Sequence, residues 1–480
     1  MIKTKEGGSA YEHSLNHALE YFSKAGSLFE KRESFYGSEE SALSLFQKTW
    51  IVDKELSFKL LLWLRDREQG AGNRSGARTI YRWLANNEDP RWIELNLENI
   101  VKLGRYDDLK SFFGTPLEKY VADTWAKRIK YLDVLAAKWA DRKDIPLRNS
   151  LKMNEAQFRK LLANIRKNHI VEYKMCSREW EAIDYEQVPS VAMSRYTNAF
   201  KKNDEERFNE YKEGLKSGEK KVHASVLFPH DCVRTVLFGD REIGDAQFDA
   251  LPNYLEDSKE RIIVISDTSG SMNKLISGSV AAVHISQGIA LYCSAKIPKS
   301  NPFHKKFIGF CSEGKFKDWN GMSFSEAVRD GNIFDHAIGS TRIDKALDLI
   351  LKTAKFFNLT NDQMPTSLII VSDMQFHEGC RASKYKDTYW RLSENNTEDV
   401  NSEVEIALNR WKENNYNIPK IVYWNTAGYV GSPSTANKTN ICLVSGFSSA
   451  ILKNIFSGDD LTPVGVMLRT LEKYNINVPK

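Results

Sequence analysis

The sequence lacks the features that mark secreted, membrane-spanning and zinc-ribbon proteins. No apolar run approaches the length of a membrane span. The N-terminal stretch MIKTKEGGSAYEHS has no apolar signal region, so we expect a cytoplasmic protein with no membrane partner. The six cysteines are scattered without a CxxC pair, which predicts reduced thiols and no zinc ribbon. His377 and Cys380 in HEGC have no second ligand pair beside them, so we interpret them as part of a plain loop.

The signatures of common enzyme classes are missing as well. There is no GxSxG elbow, no HExxH pair and no protein-kinase set of motifs. The glycine-rich stretch GAGNRSG lacks the GxxxxGK[ST] form of a phosphate-binding loop and does not follow a predicted strand. These absences predict a protein that is not an enzyme.

A strong charge of either sign is also missing, since the net charge is +5 and the pI is near 8.6. Such a mild charge permits an anionic partner but does not imply one. The 41% of hydrophobic and 27% of charged residues are typical of a soluble globular protein. At 480 residues the chain is too long for one ordinary core, so we expect two or three domains.

The pattern of residues 1–238 predicts an all-helical domain. In NEAQFRKLLANIRKN, apolar residues recur at i, i+3, i+4 and i+7 from Phe158 to Ile165. LSFKLLLWLRDREQG and SGARTIYRWLANNEDP predict a helical hairpin joined by GAGNRSG. The absence of predicted strands favours irregular, HEAT-like helical pairs. Further helices are expected around 92–102, 117–140, 190–201 and 204–216.

After a polar, acidic linker at 239–260 with one short helix, the pattern of residues 261–480 changes to strands alternating with helices. This alternation predicts a Rossmann-like, doubly wound domain with a mostly parallel sheet, so the fold class is α + α/β. The helices between strands are expected at 278–295, 342–357 and 401–416. The apolar strands are expected at 261–266, 306–311, 366–374, 419–425 and 440–446.

Two of these strands end in the same way, IIVISD at Asp267 and LIIVSD at Asp373. Ligands in such sheets bind beyond the carboxyl ends of the strands, so both carboxylates should lie at one edge. Ser269 and Ser271 follow Asp267, and Thr341 comes just before a predicted helix. These oxygen donors suit Mg²⁺ or Mn²⁺. The alternative is that the residues are helix caps and an ordinary turn.

The stretch DTSGS has the DxSxS form and, with Thr341 and Asp373, resembles the metal-ion-dependent adhesion site of von Willebrand factor A domains. The resemblance covers about 258–480. It implies that Ser269, Ser271 and Thr341 contact the metal and that the two aspartates act mostly through water. It also implies that an acidic side chain of a partner protein can complete the metal's coordination.

A helical half followed by an A domain resembles the layout of the TROVE proteins, the Ro ribonucleoprotein family. In that family the helical repeats close into a ring against the A domain, and the ring binds RNA. The resemblance therefore implies a ribonucleoprotein-type function. A related, functionally uncharacterised family with the same layout, found in eukaryotes and large viruses, is similar in the stretches LLWLRDREQGAGNR, VKLGRYDDL, QVPSVAMSRYTNAF, VLFPHD and SDMQF.

Basic residues close to aromatic residues are the candidates for RNA contacts in the helical half. Cations neutralise phosphates, and exposed aromatic rings stack on unpaired bases. The alternative is that these charges lie on solvated helix faces, that Trp63 and Trp83 belong to the core, and that Asp66 and Glu68 offset the first group. The candidates are Arg65, Arg67, Arg74, Arg78 and Arg82; Lys127, Arg128 and Lys130; and Arg159, Lys160, Arg166 and Lys167.

Three functions therefore stay open. The first is RNA binding combined with a Mg²⁺-dependent ligand site, and the second is a metal-dependent protein-interaction module without RNA. The third is a metal-dependent hydrolase that uses Asp267 and Asp373. It is disfavoured because a hydroxyl-rich site has no evident base, Ser269 has no obvious histidine partner, and His284 fits a packing role better. The sequence does not indicate an oligomeric state.

Overall fold

The first half of the chain is helical, and the second half is built around a six-stranded sheet. This α + α/β organisation is the one that the sequence predicted. No helix within the described ranges has both the length and the apolar character needed to cross a lipid bilayer. The computed structural model describes residues 2–3, 9–12, 14–28, 41–167, 169–222, 224, 227–277, 280–334, 339–377, 403–428, 432–436, 438–456 and 462–480.

Short amphipathic helices with polar caps make up the first half. The apolar stripe predicted in helix α10 is buried at Phe158, Leu162 and Ile165, and a capping box of Asn154 and Gln157 begins this helix. The expected hairpin is present as α3 and α4. The helices are α1 His17–Lys24, α2 Ala42–Val52, α3 Lys54–Arg65, α4 Arg74–Asn87, α5 Arg91–Glu94, α6 Leu97–Leu103, α7 Glu118–Lys130, α8 Val134–Trp139, α9 Ile145–Leu151, α10 Glu155–Arg166, α11 Val171–Cys176, α12 Ser190–Asn203, α13 Glu205–Ser217, α14 Pro229–Phe238 and α15 Arg241–Asp249.

The sheet has the strand order β10-β9-β8-β3-β6-β7, in which only the pairing of β7 with β6 is antiparallel. Every residue of β3, β8 and β10 is buried, which requires cover on both faces of the sheet. The strands are β1 Ile2–Lys3, β2 Ser9–Ala10, β3 Ile262–Asp267, β4 Leu275–Ser277, β5 Val280–Ala281, β6 Lys306–Phe310, β7 Gly314–Asp318, β8 Ser367–Ser372, β9 Lys420–Asn425 and β10 Ile441–Ser445.

Helices of the second half cover the sheet, and α16 packs against β3, β6 and β8. Sequence reasoning missed the edge strand β7 and helix α17. The segment GKFKD has no apolar run, and its lysines are typical of an exposed sheet edge. These helices are α16 Ala282–Lys296, α17 Phe324–Arg329, α18 Ile343–Phe356, α19 Glu403–Glu413, α20 Ile451–Phe456 and α21 Pro463–Leu471.

The first helix of the helical half docks on the carboxyl ends of β9 and β10. The Ser27 hydroxyl donates to the carbonyl of Asn425 at 2.7 Å. The Ser445 hydroxyl donates to the carbonyl of Phe22 at 2.7 Å and accepts from the Gly26 N–H at 3.1 Å. A Cβ on Gly26 would lie 2.7 Å from the Ser445 oxygen, so only glycine allows this approach. The helical half therefore begins on the same edge of the sheet as Asp267.

A buried ion pair stabilises α1 at this junction. Glu20 and Lys24 lie one helical turn apart and are 5% and 2% exposed. Glu20 also accepts the Ser14 N–H at 2.7 Å. Burial raises the pKa of Glu20, but the charge of Lys24 and the hydrogen bonds from Lys24 and Ser14 outweigh this effect and lower the pKa below 4.5.

The last helices of the helical half also pack against the second half. Helix α14 contacts α16 and α17. The approach to α16 is close, since a Cβ on Gly288 of α16 would lie 3.0 Å from the backbone nitrogen of His230 in α14. The stretch expected to be a linker contains the expected short helix, α15, which packs on α13, α14 and α17. The ring of its Phe248 stacks on Phe324 at 3.9 Å. The helical half is thus anchored to the α/β half at both of its ends.

A third anchor comes from the C-terminal segment, which runs along the helical half. The Tyr474 hydroxyl donates to Asp66 Oδ2 at 2.7 Å, and the Asn477 N–H donates to Asn96 Oδ1 at 2.9 Å. One hydrophobic core is continuous from α1 through the sheet to Tyr474. A second, smaller core joins α11, α12, α13 and α15.

Candidate functional site

Three loops meet at the carboxyl edge of the sheet, where β3 and β8 lie side by side. Ser266 pairs with Val371 in the parallel register, so Asp267 and Asp373 both leave the sheet at this edge. The loop before α18, which carries Thr341, is joined to the loop after β3 by a hydrogen bond from the Gly270 N–H to the Gly339 carbonyl, 3.4 Å long. The five residues predicted from the sequence therefore belong to three contacting loops.

The loop after β3 is held by its own side chains. The Ser269 N–H donates to Asp267 Oδ1 at 2.9 Å, and the Ser372 hydroxyl of β8 donates to Asp267 Oδ2. The Thr268 N–H donates to the Phe310 carbonyl at 2.8 Å. The hydroxyl oxygens of Ser269 and Ser271 are 3.2 Å apart, which confirms that both serines face the same side of the turn.

Thr341 is positioned by His377, a residue that sequence reasoning treated as part of a plain loop. The Thr341 N–H donates to His377 Nδ1 at 2.7 Å, and the His377 N–H donates to the Thr341 carbonyl at 2.9 Å. This reciprocal pair ties the loop before α18 to the loop that follows Asp373. His377 thus has a structural role at the site, while Cys380 lies outside the described residues.

The two carboxylates of the site are buried, with Asp267 0% and Asp373 1% exposed. Burial raises the pKa of Asp267, and the negative charge of Asp373 raises it further. Hydrogen bonds from Ser372 and Ser269 act in the opposite direction but are weaker. Two buried carboxylates that repel each other are stabilised by a shared proton or by a cation.

The oxygen donors around these carboxylates fit a small, hard divalent cation. Serine and threonine hydroxyls and carboxylates are ligands that Mg²⁺ and Mn²⁺ accept. In the described parts of the chain, no group of three or more His, Cys, Asp or Glu residues could hold a metal ion. The residues that would hold the cation are Asp267, Ser269, Ser271, Thr341 and Asp373.

His284 is the first histidine after the loop of Ser269 and Ser271 along the chain. His284, at the start of α16, accepts the Ala281 N–H through Nδ1 at 3.3 Å, and its ring packs against Phe238. It is therefore engaged in its own helix start, as the packing interpretation expected. Two surface cavities of about 450 Å³ each are lined by Arg261 and its neighbours, at the opposite edge of the sheet.

In the first group of basic candidates, Arg65–Arg82, two arginines form close ion pairs within the helical half. Arg65 is only 2% exposed, and its Nε donates to Asp108 Oδ2 at 2.7 Å. Arg78 donates to Asp108 Oδ1 at 2.7 Å and lies 2.7 Å from Asp107. The prediction of an RNA contact at Arg65 is corrected by this burial, because a phosphate cannot reach the guanidinium.

The remaining members of this group are more exposed. The side chains of Arg67 and Arg74 are 36% and 52% exposed. Arg82 donates to the carbonyl of Phe113 at 2.8 Å. Trp63 is 1% exposed and Trp83 packs against the core, so neither tryptophan offers a free face for stacking on a base.

The other two groups of basic candidates lie mostly on the surface. Arg166 is the exception, because its guanidinium is half-buried and donates to the carbonyls of Ala137 and Ala140 at the end of α8. Arg128 is 51% exposed and lies 3.0 Å from Glu98. The exposed residues of these groups are Lys127, Lys130, Arg159, Lys160 and Lys167.

The segment that carries these exposed cations, residues 118–174, is more basic than the chain as a whole. Residues 118–174 contain fourteen Lys and Arg but only seven Asp and Glu, a larger excess than the net +5 of all 480 residues. Tyr131 directly follows Lys130 and is 73% exposed. Sequence reasoning missed Tyr131, although its place at the end of a basic, amphipathic helix was visible in the pattern.

Two family models match the chain, and both are described as domains of unknown function. DUF2828 matches residues 120–265, and DUF7788 matches residues 261–466. The first covers the basic segment and the end of the helical half, and the second covers the sheet with the candidate metal site. Neither description assigns an activity, so the resemblance to von Willebrand factor A domains stays a prediction.

The chain is also similar to individual proteins, one by sequence and one by structure. The chain is 24% identical to "Uncharacterized protein L728" of Acanthamoeba polyphaga mimivirus over 535 residues, which covers 99% of this chain and 88% of that protein. Among solved structures, the crystal structure of the Deinococcus radiodurans RO (RSR) protein matches with a TM-score of 0.47 and 13% identity, covering 95% of this chain and 99% of that one. Neither match assigns an activity to this chain.

Proposed function

We propose that the protein is a non-enzymatic binding protein that holds Mg²⁺ or Mn²⁺ at the carboxyl edge of its sheet. The observation that carries this proposal is the meeting of three loops that bring together two buried carboxylates and three hydroxyl residues. The ion, when bound, supplies a positive centre to which a carboxylate can coordinate. The partner in this proposal is a protein that presents an acidic side chain.

The roles of the residues follow from their environments. Ser269, Ser271 and Thr341 are uncharged ligands, and Asp267 and Asp373 balance the charge of the cation. Asp267 accepts hydrogen bonds on both carboxylate oxygens, from Ser372 and from the Ser269 N–H. This arrangement favours an indirect contribution of Asp267 through water, as the resemblance implied.

A pair of neighbouring hydroxyl residues allows a sharp test of the cation-dependent partner. Thr341→Ala removes a proposed ligand, while Ser340→Ala changes a half-exposed hydroxyl that lies 3.3 Å from Ser312. The experiment is a pull-down from cell lysate, carried out in Mg²⁺ and in EDTA. Proteins that bind the wild type in Mg²⁺ but not in EDTA should no longer bind Thr341→Ala and should still bind Ser340→Ala. A set of retained proteins that is unchanged by EDTA would overturn the proposal.

RNA is the second proposed partner, and it would bind to the helical half. The observation that favours it is the basic segment 118–174, with exposed lysines on α7 and α10 and the exposed ring of Tyr131. Lysines neutralise phosphates, and an exposed tyrosine can stack on an unpaired base. The metal site and the RNA surface involve different residues, so both partners can be bound by one molecule.

Fluorescence anisotropy with a structured and a single-stranded RNA, each at two salt concentrations, tests this second function. We expect binding at low salt that weakens steeply as salt rises, because phosphate contacts release counterions. Absence of binding at low salt would refute the proposal. Binding that does not change with salt would exclude phosphate contacts as its source.

A further inference from the structure

Arginines outnumber carboxylates where α3 and α4 meet residues 105–108. Five guanidinium groups surround two aspartates, Asp107 and Asp108. The other nearby carboxylates are Glu68, exposed and 3.7 Å from Arg67, and Asp66, which binds Lys473 and Tyr474. The cluster is therefore a local concentration of positive charge, formed by Arg65, Arg67, Arg74, Arg78 and Arg105.

Only Arg65 and Arg78 make close contacts with the two aspartates. Asp108 is fully buried and accepts from Arg65, from Arg78 and from the backbone N–H of Arg105. Asp107 lies 2.7 Å from Arg78 and 4.0 Å from Arg74. Glu68, 3.7 Å from Arg67, is a third carboxylate that pairs with an arginine of the cluster. Five arginines thus share three carboxylates, which leaves an excess of two positive charges. Arg67 and Arg74 make the longest of these contacts, at 3.7 and 4.0 Å.

Arg105 is more constrained than Arg67 or Arg74. Its guanidinium carbon lies 4.8 Å from the ring centroid of Trp139, so one face of the cation is covered by the indole. Its Nε is buried and has no hydrogen-bond acceptor among the described residues. Burial lowers the pKa of Arg105 to about 10, and the charges of Arg65, Arg74 and Arg67 act in the same direction, while the charge of Asp107 acts in the opposite one. The Nε of Arg67 is likewise buried without a hydrogen-bond acceptor in the described parts of the chain.

We propose that Arg67, Arg74 and Arg105 form a binding site for a phosphate group that carries two negative charges. Guanidinium groups bind phosphate oxygens through pairs of N–H donors along their edges. A guanidinium stacked on an aromatic ring keeps these edges free for a ligand. An excess of two positive charges favours a dianion, either inorganic phosphate or a phosphate monoester, over a singly charged anion.

This site is separate from the surface proposed to bind RNA. The RNA proposal uses residues 118–174, and the phosphate diesters of an RNA backbone carry one negative charge each. The phosphate site rests on the excess of arginines over carboxylates in the cluster and on the buried Nε atoms of Arg67 and Arg105. It does not require that the protein bind RNA, so either proposal can fail without the other.

Calorimetric titration of the full-length protein with inorganic phosphate, in chloride buffer at constant ionic strength, tests the site. We expect saturable binding by the wild type and at least about tenfold weaker binding by Arg74→Gln and by Arg105→Gln, since each loses a charge-assisted contact. Arg82→Gln is the matched control, because Arg82 lies on the same helix as Arg74 but donates to Phe113. It should bind phosphate as the wild type does.

Adenosine monophosphate and adenosine, titrated in parallel, separate the two sources of phosphate. Binding of inorganic phosphate, of the monophosphate or of both, without binding of adenosine, supports the site. Adenosine binding equal to that of the monophosphate would overturn it, as would an absence of saturable binding by the wild type. If Arg105→Gln fails to fold, the phosphate affinity of Arg74→Gln tests the site instead. The Arg74 side chain is 52% exposed, so its replacement should not prevent folding. Equal phosphate binding by Arg74→Gln and Arg82→Gln would also overturn the proposal.

Discussion

The ion pair between Arg65 and Asp108 allows a quantitative test of which arginines are structural. The two side chains are 3% and 0% exposed, and the atoms Nε and Oδ2 are 2.7 Å apart. Gly104 packs directly against this ion pair, because a Cβ there would lie 3.1 Å from Arg65 Nε and 2.4 Å from Asp108 Oδ2. Removal of one partner of a buried pair costs about 3–5 kcal/mol. Arg78 and the backbone N–H of Arg105 still bind Asp108, so we expect Arg65→Gln to cost about 3 kcal/mol.

Urea unfolding followed by tryptophan fluorescence measures this cost. Trp63 is buried two residues before Arg65 on the same helix, so it reports on this region. Arg82→Gln serves as the control, since loss of a surface contact is expected to cost about 0.5 kcal/mol or less. Equal free energies of unfolding for Arg65→Gln and Arg82→Gln would refute the assignment of Arg65 to the core. The folded Arg65→Gln protein should also retain the RNA affinity of the wild type.

Three further predictions concern the metal site, the RNA surface and the junction. Mg²⁺ should raise the melting temperature of the wild type but not of the Ser269→Ala/Ser271→Ala double variant, and an equal rise in both would place the ion elsewhere. Lys127→Gln/Lys130→Gln should reduce the slope of log affinity for RNA against log salt by about 2. A pair of exposed lysines in the α/β half provides the control, and an equal loss in the control would contradict the assignment. The folded pKa of Glu20 is lowered, so its stabilisation is full above its ordinary pKa and is lost as the pH falls through the folded value. The difference in melting temperature between wild type and Glu20→Gln should therefore be present at pH 7 and close towards pH 3, and a difference unchanged with pH would contradict this.

The exposed pair for that lysine control is Lys299 and Lys352, which lie outside the helical half. Their replacement by glutamine removes the same number of positive charges as Lys127→Gln/Lys130→Gln. The comparison therefore separates a local loss of phosphate contacts from a general loss of positive charge.

The strands and the carboxylates at their ends were predictable from the sequence because parallel strands are buried on both faces. Continuous apolar runs such as IIVIS and LIIVS have few other structural explanations, and the first polar residue after each run marks the edge of the sheet. Asp267 and Asp373 were found in this way. The edge strand Gly314–Asp318 was missed because an exposed edge needs no apolar run.

The partners of the arginines could not be predicted, because they are distant in sequence. The pattern suggested Asp66 and Glu68 as the charges that offset the first basic group, which includes Arg65. In the folded protein Arg65 binds Asp108, 43 positions away, while Asp66 binds Tyr474. The same limit applies to His377, whose contact with Thr341 joins loops 36 residues apart. Such contacts depend on tertiary packing, which local spacing does not encode.

We propose that one divalent cation binds to a single site formed by Asp267, Ser269, Ser271, Thr341 and Asp373. Titration with Mn²⁺, followed by the loss of the electron paramagnetic resonance signal of the free ion, tests this site. We predict saturable binding of about one Mn²⁺ per chain, displacement by Mg²⁺, and at least about tenfold weaker binding by Thr341→Ala but not by Ser340→Ala. Equal Mn²⁺ affinity in these two variants, or no saturable binding by the wild type, would contradict the proposal.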